Sequence, residues 1–334
     1  MKKIITLIMA AVMVFGLTAC GSNSGGSAAE GKHETSSTIT IQTMNANKEI
    51  IDIEVPYDPQ RIAVLDMPAL DILDVLGVGD RIVGSAKVTI KYLTDYNPDD
   101  SEGRILNLGT VKTADLEQVA VCEPDIIFIG GRLGAEYDKL SEIAPVVYLG
   151  VDYEKGIVQS TVDNAKIIAS IFGKETEIGG MMTGFSERID ALKTIMEGKN
   201  VLLSMYNNNA MSIMDTESQL NIIAREIGAN NIGEMVGGAD KATHGEDASW
   251  ETIVDLNPEY MFVLDRSTAT NASDEGLLGA REVIENDLIK ELDVYKNGKI
   301  VYLIEHANVW YTATGGVQAL DVMLADLETT LLNK

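Results

Sequence analysis

The chain has 334 residues, with 51 Asp and Glu against 26 Lys and Arg and a formal net charge of −25. An acid excess of that size excludes a general nucleic-acid binder and a protein held by anionic lipid headgroups, since both need a basic face. Two cysteines, one of them in the leader region, leave no internal disulfide framework and no thiolate metal site.

The first residues read as an export signal over 1–19. Lys2 and Lys3 supply a positive start, Ile4 to Leu17 form an apolar run, and Leu17-Thr18-Ala19-Cys20 closes it. The tetrapeptide looks like a bacterial lipobox, so Cys20 is expected to carry lipid and become the mature N-terminus, an ordinary cleaved signal being the alternative. Loss of a leader with two lysines and no acids takes the net charge to −27. Residues 20–47, opening on the Gly/Ser-rich Gly21 to Ser27, are expected to be a flexible tether.

From residue 48 onward, short apolar runs alternate with longer helical patterns. In 48–173 the predicted strands are Arg61 to Asp66, Asp125 to Gly130 and Val146 to Leu149, with a helix from Ala69 to Leu76. In 198–334 they are Lys199 to Met205, Tyr260 to Leu264 and Lys299 to Leu303. Strands interleaved with helices predict two α/β lobes with mainly parallel sheets. Between them, residues 174–197 place Ile178, Met181, Phe185, Ile189, Leu192 and Met196 at helical spacing with no proline. One long helix is expected there; two helices packed on one lobe are the alternative. Cys122, in an apolar stretch, reads as a buried, inert thiol.

The two halves also match each other. Ala114 to Arg132 aligns without a gap on Ala248 to Arg266 at a constant offset of 134, pairing Glu117 with Glu251, Pro124 with Pro258 and Arg132 with Arg266. Each copy reads as helix, proline turn, buried strand and then an arginine past the strand's carboxyl end, where open α/β sheets bind ligands. Two such arginines on a strongly acidic chain point to a cleft between lobes that receives an anion.

Gly131-Arg132, Tyr137-Asp138-Lys139-Leu140, Glu142-Ile143-Ala144-Pro145, Thr243-His244-Gly245, Val263-Leu264-Asp265-Arg266 and Trp310-Tyr311 together resemble a known family. Over roughly residues 48–334 the chain is similar to class III periplasmic binding proteins, specifically the enterochelin- and petrobactin-type ferric-siderophore-binding lipoproteins of ABC importers. The resemblance implies two Rossmann-like lobes joined by one long helix, no enzymatic activity and no intrinsic cofactor. It implies a monomer on the outer face of the cell membrane, held by lipid alone. Its cargo would be a ferric siderophore of catecholate type, and its partner an ABC permease dimer with a cytoplasmic ATPase.

By the same resemblance Arg132 and Arg266 meet anionic siderophore oxygens, with Gln219 and Trp310 beside them in the cleft. His244 and Tyr311 match a pair that binds Fe(III) directly when the siderophore is tetradentate and leaves two positions of the octahedron open. A phenolate oxygen suits that hard cation, and imidazole suits iron generally. Glu117 and Glu251 match acids that meet arginines of the permease. One departure stands out: Gln219 occupies a place where relatives carry a third arginine, and Gln brings no charge.

Read without the resemblance, Val309 to Thr312 alternates like a strand end running into a loop up to Gly316, and His306 is a competing imidazole. No Gly-Xaa-Ser-Xaa-Gly elbow, Walker loop, His-Glu-Xaa-Xaa-His or Gly-Xaa-Gly-Xaa-Xaa-Gly at a strand end supports an enzyme. A binding protein for haem or a corrinoid, and a surface sensor or adhesin, are the other readings.

Overall fold

In the computed structural model, which describes residues 37–215, 217–235, 246–247, 249–270 and 278–332, the apolar runs assemble into two sheets. The first lobe opens on an antiparallel hairpin, β1 (Thr38–Met44) and β2 (Ile50–Pro56). Then come β3 (Ile62–Val64), α1 (Met67–Val75), β4 (Ile82–Ser85), β5 (Leu106–Asn107) and a small hairpin of β6 (Gly109–Thr110) and β7 (Thr113–Ala114). α2 (Leu116–Val121), β8 (Ile126–Ile129), α3 (Tyr137–Ser141), β9 (Val146–Tyr148) and α4 (Ile157–Ile171) complete it.

After the long α5 (Glu175–Met196), the second lobe runs β10 (Asn200–Asn207), β11 (Ala210–Ile213), α6 (Asn221–Ala224), β12 (Asn230–Asn231) and β13 (Glu246–Asp247). It continues with α7 (Trp250–Leu256), β14 (Tyr260–Asp265), α8 (Arg266–Ala269), α9 (Ala280–Ile284), α10 (Asp287–Lys290) and α11 (Asp293–Lys296). β15 (Ile300–Leu303), α12 (Ala307–Thr312) and α13 (Val317–Leu331) end the described chain.

The first sheet has the order β5-β4-β3-β8-β9 and is parallel throughout. Its chain builds outward from β3 to one side, then returns to lay β8 on the other, so the strand order reverses between β3 and β8. In the second sheet, β13-β11-β10-β14-β15 with β12 also on β10, the β10, β12, β14 and β15 pairings are parallel and the β11 pairings antiparallel. Its reversal lies between β10 and β14. These are the two switch points at which open α/β sheets leave a crevice beyond the strand ends.

Side-chain alternation joins the lobes. Val201, Leu203 and Met205 of β10, with Phe262 and Leu264 of β14, point into the same apolar cluster that fills the first lobe. Leu202 and Tyr206, with Met261 and Val263, face a second cluster on the far side of the sheet. α5, 22 residues and about 33 Å long at 1.5 Å per residue, buries Ile178, Phe185, Ile189, Leu192 and Met196. It is unbroken and packs on α4 and α13. Arg188 on α5 forks onto Glu328 of α13 with two bonds of 2.8 Å. α13 itself returns to the first lobe, where the buried Asp71 of α1 accepts the backbone N–H groups of Gln318 and Ala319.

Two expectations need correction. Residues 38–44 are not tether: Ile39 and Ile41 alternate with polar residues, and Thr43, fully buried, bonds the backbone of Tyr148 on β9. Residues 307–312 are neither a strand end nor a loop but the short helix α12, in which the Trp310 N–H donates to the His306 carbonyl and the Ala313 N–H to that of Val309. Cys122 is buried, its Sγ turned to the Val119 carbonyl, and burial pushes its thiol up to about 11.

Candidate ligand-binding cleft

The sequence repeat is also a structural repeat. Asp115 caps α2 by accepting the Gln118 N–H, and Ser249, at the same offset, caps α7 by accepting the Thr252 N–H. Each helix leads into the buried strand β8 or β14, and each strand releases an arginine. Arg132 lies in a 3-10 turn over Gly131–Glu136, and Arg266 opens α8, whose cap is Asp265.

Both arginines converge on one ring. The Arg132 guanidinium carbon lies 4.9 Å from the Tyr311 ring centroid, and that of Arg266 lies 5.4 Å from it. Such distances are those of cation–π contacts. Arg266 Nε donates to the Tyr311 hydroxyl at 2.8 Å, and its Nη1 donates to Asn207 Oδ1 at the end of β10 at 2.6 Å. That second bond straddles the switch point of the second sheet. Tyr311 is 3% exposed and Arg132 is open to solvent, so the ring is floor and the first arginine is free to meet a guest.

Around this contact lies a cavity of about 450 Å³ lined from both lobes. Asp66, Arg132 and Tyr153 come from the first lobe, Gln219, Tyr311 and Thr314 from the second, and Lys48 from the β1–β2 turn. Asp66 follows β3 as Arg132 follows β8, so the two flank the switch point of the first sheet. Its side chain accepts the Ala69 N–H and caps α1. Burial is the main influence on this carboxyl and pushes it up to about 7, against the Ala69 bond and Arg132. Burial likewise raises the Tyr153 hydroxyl to about 12, with Arg132 opposing and Asp215 and Glu217 adding. The cleft therefore sets Lys48 and Arg132 in one lining with a carboxyl that burial raises, and Arg266 against its Tyr311 wall, on a chain that is otherwise strongly acidic.

Not every expected residue comes to the cleft. Trp310 is completely buried, and its Nε1 donates to Asp326 on α13 at 2.9 Å, so it has no face to offer a ligand. His306 is held by the other oxygen of Asp326 at 2.8 Å and does not line the cavity. Gln219 does line it, half-buried. Glu117 and Glu251 are exposed in the first turns of α2 and α7, outside the cavity lining. His244 and Cys20 lie outside the described residues. Lys48, Asp66, Tyr153 and Asn207 were not singled out from sequence. Of these only Asp66 carries a local signal, an acid ahead of a proline in the first turn of a helix.

Among the described residues no group of three or more His, Cys, Asp or Glu side chains is placed to hold a metal, and no helix is long and apolar enough to cross a membrane. Residues 62–307 match the sequence model of the periplasmic binding protein family. The petrobactin-binding protein YclQ of Bacillus subtilis is 31% identical over 99% of this chain and 99% of its own. Its crystal structure superposes with a TM-score of 0.76 over 88% of this chain and 99% of that one. The probable siderophore-binding lipoprotein YfiY of the same organism is 27% identical over 99% of both chains. The periplasmic catecholate-siderophore binding protein VctP of Vibrio cholerae is 25% identical, with a TM-score of 0.75 over 87% of this chain and all of that one.

Proposed function

As the chain belongs to the periplasmic binding protein family, we propose that it is the extracytoplasmic, lipid-anchored component of an ABC importer that captures a ferric siderophore. The observation that carries this reading is the closure of Arg132 and Arg266, one from each lobe, on a single tyrosine at the cleft. Guanidinium forks spread charge-assisted hydrogen bonds over several oxygens and stack on aromatic rings, which suits a catecholate complex. The names of YclQ and VctP, petrobactin-binding and catecholate-siderophore-binding, favour that ligand class.

Tyr311, and His244 outside the described residues, are the proposed iron ligands when the siderophore supplies four donors. The Arg266 bond to the Tyr311 hydroxyl supports the role, since it fixes the direction of that oxygen at the cleft. Cys20 is the proposed lipid-bearing residue, in keeping with relatives named as lipoproteins.

The test is a fluorescence-quenching titration with ferric tetradentate and hexadentate catecholates, ferric hydroxamate, ferric citrate, haem and cobalamin. Ferric catecholates should quench, and Arg132→Ala should weaken them by about 10- to 100-fold, the scale of a hydrogen bond to a charged group. Tyr311→Phe should remove a phenolate-to-iron absorption band from the tetradentate complex and leave the hexadentate spectrum unchanged. Quenching by haem or cobalamin alone would overturn the assignment.

A further inference from the structure

Gln219 brings no charge to the cavity, and the β1–β2 hairpin brings one to the same lining. We propose that Lys48 is the third cation of the ligand site and contacts an oxyanion arm of the bound chelate. The proposal rests on the reading of the cleft as an anionic-chelate site.

Three observations carry it. Lys48 lines the same cavity as Arg132 and Gln219. It also holds φ at 62°, in the left-handed region that glycine or asparagine enters more cheaply than lysine does. An uncommon residue at a strained position directs attention to its side chain. Third, the turn is built to hold this geometry. Asn45 Oδ1 accepts the N–H groups of Asn47 and Glu49 at 2.9 and 3.0 Å, and its carbonyl accepts the Lys48 N–H at 2.9 Å.

The neighbouring acid, Glu49, is engaged by Asn45. Asn45 Nδ2 donates to Glu49 Oε2 at 2.9 Å. The lysine ion pairs between described residues are those of Lys87, Lys155, Lys174, Lys199 and Lys296, and Lys48 is not among them. Below the turn, Thr43 anchors the hairpin to the first sheet by accepting the Tyr148 N–H at 2.7 Å and donating to the Tyr148 carbonyl at 2.9 Å. Met44 and Tyr148 line the cavity too, so the anchor and the turn both border the cleft.

An ammonium is a compact point charge, so its partner is a single carboxylate or catecholate oxygen rather than a flat bidentate edge. The hairpin therefore adds a cation to the cavity lining that Arg132 and the uncharged Gln219 share.

The experiment titrates the ferric complex of a tetradentate bis-catecholate into the wild type, Lys48→Gln, Lys48→Arg and Arg132→Ala. Lys48→Gln should bind about 5- to 20-fold more weakly, a charged hydrogen bond discounted for exposure. Lys48→Arg should restore most of the loss, and the thermal melt of the unliganded Lys48→Gln protein should match the wild type. Adding Gln219→Arg to Lys48→Gln should recover affinity by putting a cation back into the shared lining. Wild-type affinity in Lys48→Gln, alongside a loss in Arg132→Ala, overturns the proposal and leaves the functional reading standing. Equal losses in Lys48→Gln and Lys48→Arg also overturn it, since charge would not be the cause, as does failure of Gln219→Arg to compensate. A wild type that binds none of the ferric complexes removes the functional reading and this proposal together.

Discussion

Asp66 performs two tasks that pull in opposite directions. As the cap of α1 it is served by either protonation state, yet beside a cleft proposed to receive an anionic chelate a full negative charge would repel the guest. Burial eases the conflict by raising the carboxyl to about 7, so that near neutral pH it carries only part of a full charge. The folded protein therefore keeps a proton that the unfolded chain releases near pH 4, and stability should fall as pH rises from about 4 to about 7. Asp71, raised by burial to about 6 under the N-terminus of α13, adds to the same slope. Asp66→Asn should retain the cap, since Asn caps as well as Asp. It should also flatten the slope by on the order of 1–2 kcal/mol, discounted for partial exposure to the cleft. Urea midpoints across this pH range check the claim; an unchanged slope in the variant would remove it.

Between elements, the informative contact is that of Glu226 with α4. Glu226 follows α6 in the second lobe, yet its Oε1 accepts the Val158 N–H at 2.8 Å in the first turn of a first-lobe helix. Gly156 makes room for it: at φ 97°, a Cβ there would stand 2.5 Å from that oxygen. A carboxylate at a helix N-terminus is favoured by the macrodipole, so the contact works as a cap supplied across the lobes. Glu226→Ala should cost about 1 kcal/mol of stability, while Glu226→Gln, still an acceptor, should cost less. Equal midpoints in denaturant for all three proteins would show that the contact is idle. At this scale the sequence was a mixed guide. β8, β14 and α5 announce themselves through apolar periodicity, which is local. β1 hid behind its threonines and a neighbouring Gly/Ser stretch. α12 was misread because its six residues are too few to show a helical period.

For the molecule as a whole, α5, α13 and one continuous apolar cluster tie the lobes together, so large hinge closure is not the expected response to ligand. If the chain delivers its ligand to a permease, as proposed, delivery depends on surface features that stay in place, and Glu117 and Glu251 have equivalent positions in the two copies of the repeat. Exposed acids at such positions give orientation and encounter rate more than affinity. Reversing both, Glu117→Lys with Glu251→Lys, should leave ligand titrations unchanged and reduce uptake of labelled iron in cells several-fold. Membrane fractions of the same cells, beside Cys20→Ala, which should be released if Cys20 carries the proposed lipid, separate lost docking from lost anchoring. Normal uptake by the double variant would reduce the two residues to solvated helix faces.

The α/β lobes, the long helix and the paired arginines follow from the sequence by itself, because strand and helix periods are written over a few neighbouring residues and a repeat is visible as a constant offset. Tertiary structure alone decided that both arginines meet at Tyr311, that Trp310 and His306 turn away to Asp326, and that Lys48 and Asp66 border the cleft. Those outcomes depend on where strands far apart in the chain end relative to one another. Sheet pairing across the two switch points sets that relation, and no local pattern records it.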